Sequence, residues 1–351
     1  MKFDLSEDQE LLRNATADFM SKSCALESTR ELAETDGEGF SRKEWAGLAE
    51  LGYLGLLSSE QSGGMGLGAV ELAIVCHEMG RVVFPGPYLD VLLASRILDG
   101  AGGAAEVVEA MAVGNEIVVL AHVDRVWPNQ PGEIAYGDGH VDGTAYFVPY
   151  GASADRLLVV AGDDLVLADG PFESAPMESV EEMTRFAEIK LDNPARRIGA
   201  ASLVEGVRDL GAVGAAAHAL GLCESAMQRT IEYSRQRETF GKPIGTYQAL
   251  QHRIADMLVK SESSRSVVYH AAWSVQAGAG DAARVAAAAR AYAVGSARSI
   301  GEEAIQIHGG NGFTWEYDVH CFLKRALTLE HHPASHAHAV ERALAQFEAV
   351  S

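Results

Sequence analysis

The fold of this chain is most constrained by the order in which three sequence patterns follow one another. Up to about residue 112, apolar residues recur at helical spacing, with Gly- and Ser-rich interruptions such as SSEQSGGMGLG. Between about residues 113 and 195, short β-rich runs such as EIVVLAH and DRLLVVAG are bounded by Gly, Pro or Asp. From about residue 206 the helical pattern returns, and an Ala-rich stretch over 282–308 stops at Gly309, where glycine suits a helix C-terminus. The sequence therefore predicts helical, β and helical segments in that order.

These segments define an α+β chain in three parts. A chain of 351 residues with 48% hydrophobic residues is too long for one small core, so two or three packed units are expected. We predict an N-terminal helical domain over residues 1–112, a small middle β domain over 113–205 and a C-terminal helical domain over 206–351. The sequence contains no internal repeat and no low-complexity linker, so we expect the three segments to pack into one body.

The charge of the chain excludes a large class of partners. The formal net charge is −21 and Lys and Arg form no run, whereas nucleic-acid-binding proteins cluster cations to neutralise phosphates. The first residues, MKFDLSEDQELLRN, are charged and helix-like, and no uninterrupted apolar run reaches the ~18 residues of a membrane span. We therefore expect a cytoplasmic protein with neither a nucleic-acid nor a membrane partner.

Cysteine and histidine spacing argues against a disulfide framework and against a metal centre. The four cysteines lie far apart with no CxxC spacing, which is typical of reduced, packed thiols: Cys24, Cys76, Cys223 and Cys321. The segment HHPASHAH contains four histidines, His331, His332, His336 and His338. A proline interrupts this cluster, and no carboxylate or cysteine stands at a familiar ligand spacing, so we predict no metal.

Two motifs in the last third of the chain indicate cofactor chemistry. They are RQRETFG at 235–241, with Gln248 close behind, and QIHGGNGF at 306–313. The Arg237 guanidinium is planar and carries several N–H donors for phosphate oxygens, and Thr239 adds a hydroxyl. Phe240 supplies an apolar wall, and the amide of Gln248 can both donate and accept. Each of these side chains suits one part of a dinucleotide such as FAD.

The second motif adds Gln306 and a pair of glycines, Gly309 and Gly310. A backbone without side chains approaches a ligand closely, which suits the adenosine half of a dinucleotide. Taken one at a time, the motifs have simpler explanations: Arg237 in a surface ion pair, and a Gly-Gly that only ends a helix. Their occurrence together in one chain favours the cofactor interpretation.

The paired motifs resemble the FAD-binding signature of the acyl-CoA dehydrogenase family, and the resemblance covers nearly the whole chain. FDLSEDQELLR is similar to the first helix of the family, and LAELGYLGLLSSEQSGGMGLGAVELAIVCHEMGR is similar to its early Gly-rich turn and following helix. The resemblance implies an N-terminal helical domain, a middle β domain and a C-terminal four-helix bundle. It also implies that the motifs of one subunit contact the FAD of its neighbour. The implied reaction is the α,β-desaturation of an acyl-CoA, with electron-transfer flavoprotein as acceptor.

The resemblance also shows where this chain departs from the family's catalytic base. The family reaction needs a placed carboxylate to remove the α-proton. Alignment of KRALTLEHHPASH with one known base position puts Pro333 there, and alignment of VRDLGAVGAAAHALGL with the other puts Gly211 there. The arginine common in active members falls on Ala212. Asp209 and Glu330 are the nearest carboxylates, so a displaced base at either residue stays open.

The middle segment also lacks residues that active members of the family carry. AHVDRVWPNQPGE stands where active members carry a TEPGAGSD-like loop, and GTAYFVPYG stands where they carry a WITN-like strand. Phe147 then occupies the aromatic position and Pro149 the position of a hydroxyl donor. Proline donates no backbone hydrogen bond, and a flavin ring depends on such donors. We therefore expect this β domain not to seat an isoalloxazine ring of its own.

The retained cofactor motifs and the missing base together imply that this chain forms half of a site shared with another subunit. The resemblance implies the base-less subunit of a heteromeric acyl-CoA dehydrogenase, most simply α2β2, like those that shorten steroid side chains in actinobacteria. A homologous partner subunit would supply the glutamate, the seat of the flavin ring and the acyl-CoA tunnel, and FAD would be shared across the interface. Two alternatives stay open: a self-sufficient homo-oligomeric flavoenzyme with a displaced base, and a cofactor-free scaffold of the same fold.

Overall fold

The computed structural model describes residues 5–35, 37–121, 134–332 and 336–348. The helices are α1 (Glu7–Ser23), α2 (Leu26–Ala33), α3 (Arg42–Glu50), α4 (Ala69–Arg81), α5 (Tyr88–Ala101), α6 (Ala105–Ala112), α7 (Arg208–Gln236), α8 (Gln248–Gln276), α9 (Ala282–His308), α10 (Val319–His331) and α11 (His336–Glu348). The strands are β1 (Val118–Ala121), β2 (Ala135–Gly137), β3 (His140–Pro149), β4 (Arg156–Ala161), β5 (Asp164–Asp169), β6 (Glu173–Met177), β7 (Phe186–Ala200), β8 (Glu238–Thr239) and β9 (Lys242–Pro243).

The chain forms two compact units. Unit 1 comprises Met1–Ser28, Ala69–Phe84 and Asp209–Ser351, and unit 2 comprises Thr29–Gly68 and Pro85–Arg208. The predicted order of helical, β and helical segments is confirmed, because strands β1–β7 lie between helices α1–α6 and helices α7–α11 along the chain. The domain boundaries at residues 112/113 and 205/206 stay a prediction.

Unit 1 is a helical body that includes the small hairpin β8–β9. Its first helix, α1, begins at a capping box: the Ser6 hydroxyl accepts from the backbone N–H of Gln9, and the Gln9 side chain accepts from that of Ser6. Helices α4 and α7 approach closely where Gly80 and Gly221 lie, since a Cβ at either residue would meet the backbone of the other helix. Helix α9 ends at Gly309, which has a φ of 61°, so the predicted C-terminal glycine is confirmed.

Unit 2 combines helices with a mixed sheet in the strand order β1-β4-β5-β7-β3-β2, and β6 also pairs with β7. The β1–β4 pairing is parallel, and the other pairings in this sheet are antiparallel. β7 is 15 residues long and pairs with β5, β3 and β6, so it organises the sheet. The inner strands carry buried aliphatic runs, including Leu157–Val159 and Leu165–Leu167.

Two further predictions concern cysteines and membrane spans. All four cysteines are buried, and none forms a disulfide within the part of the chain that the structure describes. Among the described helices, the stretch Ala201–Gln236 is long and apolar enough to cross a membrane by length and composition alone. In the structure 78% of its most apolar window is buried, as in the core helix of a globular protein.

Candidate cofactor site

The first motif forms a tight hairpin directly after helix α7. The turn between β8 and β9 consists of Phe240 and Gly241, with φ angles of 52° and 78°, as in a two-residue hairpin turn of the primed type. The N–H of Ile244 donates to the carbonyl of Arg237 at 2.8 Å, and the Tyr247 hydroxyl donates to the carbonyl of Thr239 at 3.1 Å. These bonds fix the hairpin backbone, and the ring of Phe240 at its tip is 98% exposed.

The second motif covers the end of helix α9 and the short turn after it. Gln306 is exposed in the last turn of α9, and Gly309 and Gly310 are exposed in the following 3-10 turn, Gly309–Phe313. Gly312 packs against the carbonyl of Ile305, where an added Cβ would lie 2.8 Å from the oxygen. The turn is therefore held close to the helix, and it presents backbone rather than side chains at its first two residues.

A buried aromatic contact joins the two motifs. The ring of Tyr233, on α7, stacks on the ring of His308, the last residue of α9, with centroids 4.1 Å apart and 21° between the planes. Tyr317 meets both rings edge-on, at 5.5 Å from Tyr233 and 5.9 Å from His308. The structure thus brings together two segments that lie about seventy residues apart in the sequence.

The candidate cofactor-binding side chains are available to a ligand. Arg237, Phe240, Gln248 and Gln306 are exposed, and Thr239 is half-buried. Within the described residues, no hydrogen bond or ion pair engages the side chain of Arg237, Gln248 or Gln306. The surface ion pair expected from the simpler explanation of Arg237 is therefore not formed there. An uncommitted guanidinium and two amides are donors that fit the phosphates and the polar edges of FAD, and the exposed glycines let a ligand approach the backbone closely.

One of the two positions predicted to align with the family base lies in the described part of the chain. Gly211 is buried in the first turns of α7, and the next residue, Ala212, is also buried. Neither residue can exchange a proton. The other position, Pro333, lies outside the described residues, as do Ala334 and Ser335 and the side chains of His336 and His338.

Both candidates for a displaced base are engaged by arginine. Asp209 Oδ1 lies 2.8 Å from a guanidinium nitrogen of Arg342. Arg298 Nη1 lies 3.3 Å from both carboxylate oxygens of Glu330. Each carboxylate is therefore already engaged in an ion pair with a neighbouring side chain. These contacts argue against a proton-abstracting role for either residue.

Strand β3, which the sequence resemblance predicts to align with the family's flavin-facing strand, has an irregular backbone. The β3–β7 register shifts between Ala145 and Val148, and Phe147 in this bulge has a φ of 51° and a half-exposed ring. Pro149 lies in β3 opposite Phe186. The loop segment quoted with this strand lies almost wholly in residues 122–133, which are outside the described residues.

Sequence patterns did not indicate a charged cluster inside unit 1. Both oxygens of the buried Glu224 carboxylate, on α7, accept from arginine: Oε2 from Arg81 on α4 at 2.6 Å and Oε1 from Arg265 on α8 at 2.7 Å. His77 Nε2 also lies 3.1 Å from Glu224 Oε2. The cluster lines a cavity of about 600 Å³ that is also bordered by α1. Hydrophobic periodicity along the chain does not predict such a cluster, because its members come from three separate helices.

Burial and charge act in opposite directions on Glu224. Burial alone would raise its pKa, but the hydrogen bond and charge of His77 and the charges of Arg265 and Arg81 hold the pKa below its usual value of 4.5. Beside this cluster, burial raises the pKa of Tyr269 to about 12. Its hydroxyl lies 3.4 Å from His77 Nδ1.

A second unforeseen pair links α7 and α10. Arg325 Nη1 donates to the carbonyl of Phe84 at 2.9 Å and lies 3.3 Å from Nε2 of His218. Burial and the charge of Arg325 lower the pKa of His218 well below 6.5, so the ring is neutral. Within the described residues, no group of three or more His, Cys, Asp or Glu side chains has the arrangement of a metal site.

Comparison with known proteins identifies the family. The acyl-CoA dehydrogenase N-terminal domain profile matches residues 6–106, and the C-terminal domain profile matches residues 203–331. The chain belongs to the acyl-CoA dehydrogenase family of flavoprotein oxidoreductases. The predicted fold class is confirmed by this assignment.

Individual relatives cover nearly the whole chain. Acyl-CoA dehydrogenase IpdE2 of Mycolicibacterium smegmatis is 31% identical over 323 residues, covering 92% of this chain and 93% of that protein. A chain of the ChsE4–ChsE5 complex from Mycobacterium tuberculosis superposes with a TM-score of 0.88 at 25% identity and covers 99% of each chain. The Tcur3481–Tcur3483 steroid ACAD, solved as a single-residue variant, shares the fold with a TM-score of 0.87 at 24% identity, covering 98% of this chain and 99% of that one.

Proposed function

We propose that this chain is the base-less subunit of a heteromeric, FAD-dependent acyl-CoA dehydrogenase. Its role is to complete the FAD site of a homologous partner subunit, which carries the catalytic glutamate and most of the acyl-CoA site. The seven residues of the proposed contact are Arg237, Thr239, Phe240, Gln248, Gln306, Gly309 and Gly310.

The observation that carries the proposal is a contrast within unit 1. The Tyr233–His308 stack joins the two cofactor motifs, and the side chains of Arg237, Gln248 and Gln306 make no bond to the described residues. Meanwhile the base position on α7 is a buried glycine, and the carboxylates nearest to the base positions, Asp209 and Glu330, are ion-paired. The chain has therefore kept groups that hold a dinucleotide and lacks a group that removes a proton at this position.

Each retained group has a defined task toward the cofactor. The chemistry that FAD would supply when bound is acceptance of a hydride from the β-carbon of the acyl group. Arg237 neutralises pyrophosphate charge, and Thr239 adds a hydroxyl hydrogen bond. Phe240, at the tip of the hairpin, loses its exposure to water when a partner covers it, which stabilises the assembly. Gln306 and the glycine backbone at 309 and 310 contact the adenosine half.

The known relatives support an assembly of two different subunits. The ChsE4–ChsE5 neighbour is a complex of two named chains, and Tcur3481–Tcur3483 is described as a steroid ACAD. By analogy we propose an α2β2 assembly with FAD shared across the subunit interface, a steroid side-chain CoA thioester as substrate and electron-transfer flavoprotein as acceptor. We further propose that the assembly works in the cytoplasm.

The flavin content of purified protein tests the proposal and separates it from its alternatives. The chain is purified alone and again after co-expression with a homologous acyl-CoA dehydrogenase subunit that carries the catalytic glutamate, and flavin absorbance is measured in both preparations. The proposal predicts flavin only in the co-purified complex. A self-sufficient enzyme would be yellow alone and would oxidise an acyl-CoA, whereas a cofactor-free scaffold would show no flavin even with its partner present.

A further inference from the structure

We infer that Tyr233 and His308 are positioning residues that hold the two cofactor motifs at a fixed separation. The inference rests on the proposed function, because it concerns how the proposed FAD contacts are set relative to one another. Neither residue belongs to the set proposed to touch the cofactor. Both rings are almost fully buried, so they act on a ligand only through the residues that they hold in place.

Tyr233 controls the first motif through the backbone of α7. It lies one helical turn before Arg237, and its carbonyl accepts from the N–H of Arg237 at 2.8 Å. Ser234, the next residue, lies against the 3-10 turn that directly follows the hairpin, because a Cβ at Gly245 would lie 3.0 Å from the Ser234 hydroxyl. A shift of this turn of α7 would therefore move the hairpin that carries Thr239 and Phe240.

His308 controls the second motif in the same way. It stands two residues after Gln306 and two residues before Gly310. Its Nδ1–H donates to the carbonyl of Ala304 at 2.7 Å, which sets the orientation of the ring, and burial lowers its pKa, so the stacked ring is neutral. The ring is thus locked to the helix that ends at the exposed glycines.

The hydroxyl of Tyr233 adds polar bonds to the stack. It donates to the carbonyl of His308 at 3.3 Å and accepts from Nδ2 of Asn311 at 3.2 Å. These bonds reach the last residue of α9 and the turn beyond it. One side chain of the first motif's helix therefore holds both the ring and the backbone of the second motif.

The physical consequence concerns ligands that span both motifs. A dinucleotide gains from the phosphate contacts and the adenosine contacts at once only if their separation is already correct, because ordering the two segments on binding costs conformational entropy. Loss of the stack would separate the motifs without removing any contact side chain. The affinity for FAD would fall while the fold of each helix remained.

The test uses the co-purified complex after removal of FAD, and it measures the FAD dissociation constant by flavin fluorescence and the melting temperature of the FAD-free complex. His308→Ala removes the stack, and His308→Phe restores a ring. We expect His308→Ala to weaken FAD binding roughly 10-fold, and His308→Phe to return it to within about 3-fold of wild type. Val268→Ala, a buried truncation on α8, is the control for a loss of stability alone, and it should leave the FAD affinity unchanged.

Tyr233→Phe keeps the ring and removes the hydroxyl, so it tests the same claim if His308→Ala does not fold. We expect it to weaken FAD binding roughly 3- to 10-fold. Unchanged FAD affinity in the folded variants, with Arg237→Ala losing FAD, would overturn the positioning role and leave the proposed function intact. Unchanged affinity in Arg237→Ala as well would overturn the proposed function itself. An equal loss of affinity in His308→Ala and His308→Phe would overturn the role of the stack.

Discussion

The backbone of His77 lies directly against Gly221, so that a Cβ at Gly221 would sit less than 3.0 Å from the carbonyl oxygen of His77. This contact lets α4 and α7 approach closely enough for His77 and Glu224 to meet. We predict that Gly221→Ala lowers the free energy of unfolding by about 3 kcal/mol, because a rigid backbone cannot give way to the methyl group. Gly280→Ala is the control, because its Cβ would meet nothing within 4 Å, and it should change stability by no more than about 0.5 kcal/mol. Urea denaturation measures the free energy of unfolding of both variants. Equal losses would contradict the close contact of α4 and α7 at Gly221.

Arg237→Ala should remove FAD from the co-purified complex. A charge-assisted contact to phosphate contributes enough that its loss weakens binding roughly 10- to 100-fold. Arg235→Ala is a matched control, because Arg235 is also an exposed arginine of the same motif but lies in the last turn of α7. Flavin absorbance after gel filtration and the FAD dissociation constant are the measurements. Similar losses in the two variants would mean that general charge, and not the position of Arg237, holds the cofactor.

Glu224→Gln should destabilise unit 1 markedly. The buried carboxylate accepts from Arg81 and Arg265, and substitution leaves two guanidinium groups without their shared acid. Because both arginines are partly exposed, we expect a loss of about 2–3 kcal/mol rather than more. Glu262→Gln removes an exposed acid beside the same Arg265, at 3.6 Å, and should change stability by less than about 1 kcal/mol. The account of the cluster fails if the two variants unfold at the same urea concentration.

His218 should make stability depend on pH below neutrality. Burial and Arg325 lower the pKa of His218 well below 6.5, so the unfolded chain takes up a proton there at a pH where the folded chain does not. The stability due to the neutral ring is present in full above about pH 6.5 and is lost as the pH falls, by up to about 1.4 kcal/mol per pH unit. Wild type and His218→Gln are compared by urea denaturation at about pH 7 and about pH 5.5. Wild type should lose more stability than the variant over this interval, and parallel losses would contradict the prediction.

Most of the fold was predicted from sequence patterns, because helices and β-rich runs each have a characteristic spacing of apolar residues. The runs EIVVLAH and DRLLVVAG became β1 and β4, and the Ala-rich stretch became α9 with Gly309 at its end. The length of β7 could not be foreseen in the same way. It continues through Pro194, which usually ends a strand, and is supported there by pairing with His140.

Sequence patterns predict which residues form the candidate site, and that set stays a prediction, but they do not predict how the residues are brought together. The family resemblance predicts Arg237 and Gln306 as site residues, because their residue types and order match the family motif. The contact that joins their segments is a stack of Tyr233 on His308, and no spacing rule relates residues on two different helices. Sequence patterns likewise do not predict the arginine partners of Asp209 and Glu330, because Arg342 and Arg298 are distant from these acids in the sequence.

The ratio of flavin to protein in the purified complex tests the shared site most directly. Quantitative flavin absorbance is combined with the mass of the complex and with the ratio of the two chains. We predict an α2β2 complex with two flavins per four chains, none of which stays bound in Arg237→Ala. One flavin for every chain, or flavin retained in full by Arg237→Ala, would contradict it.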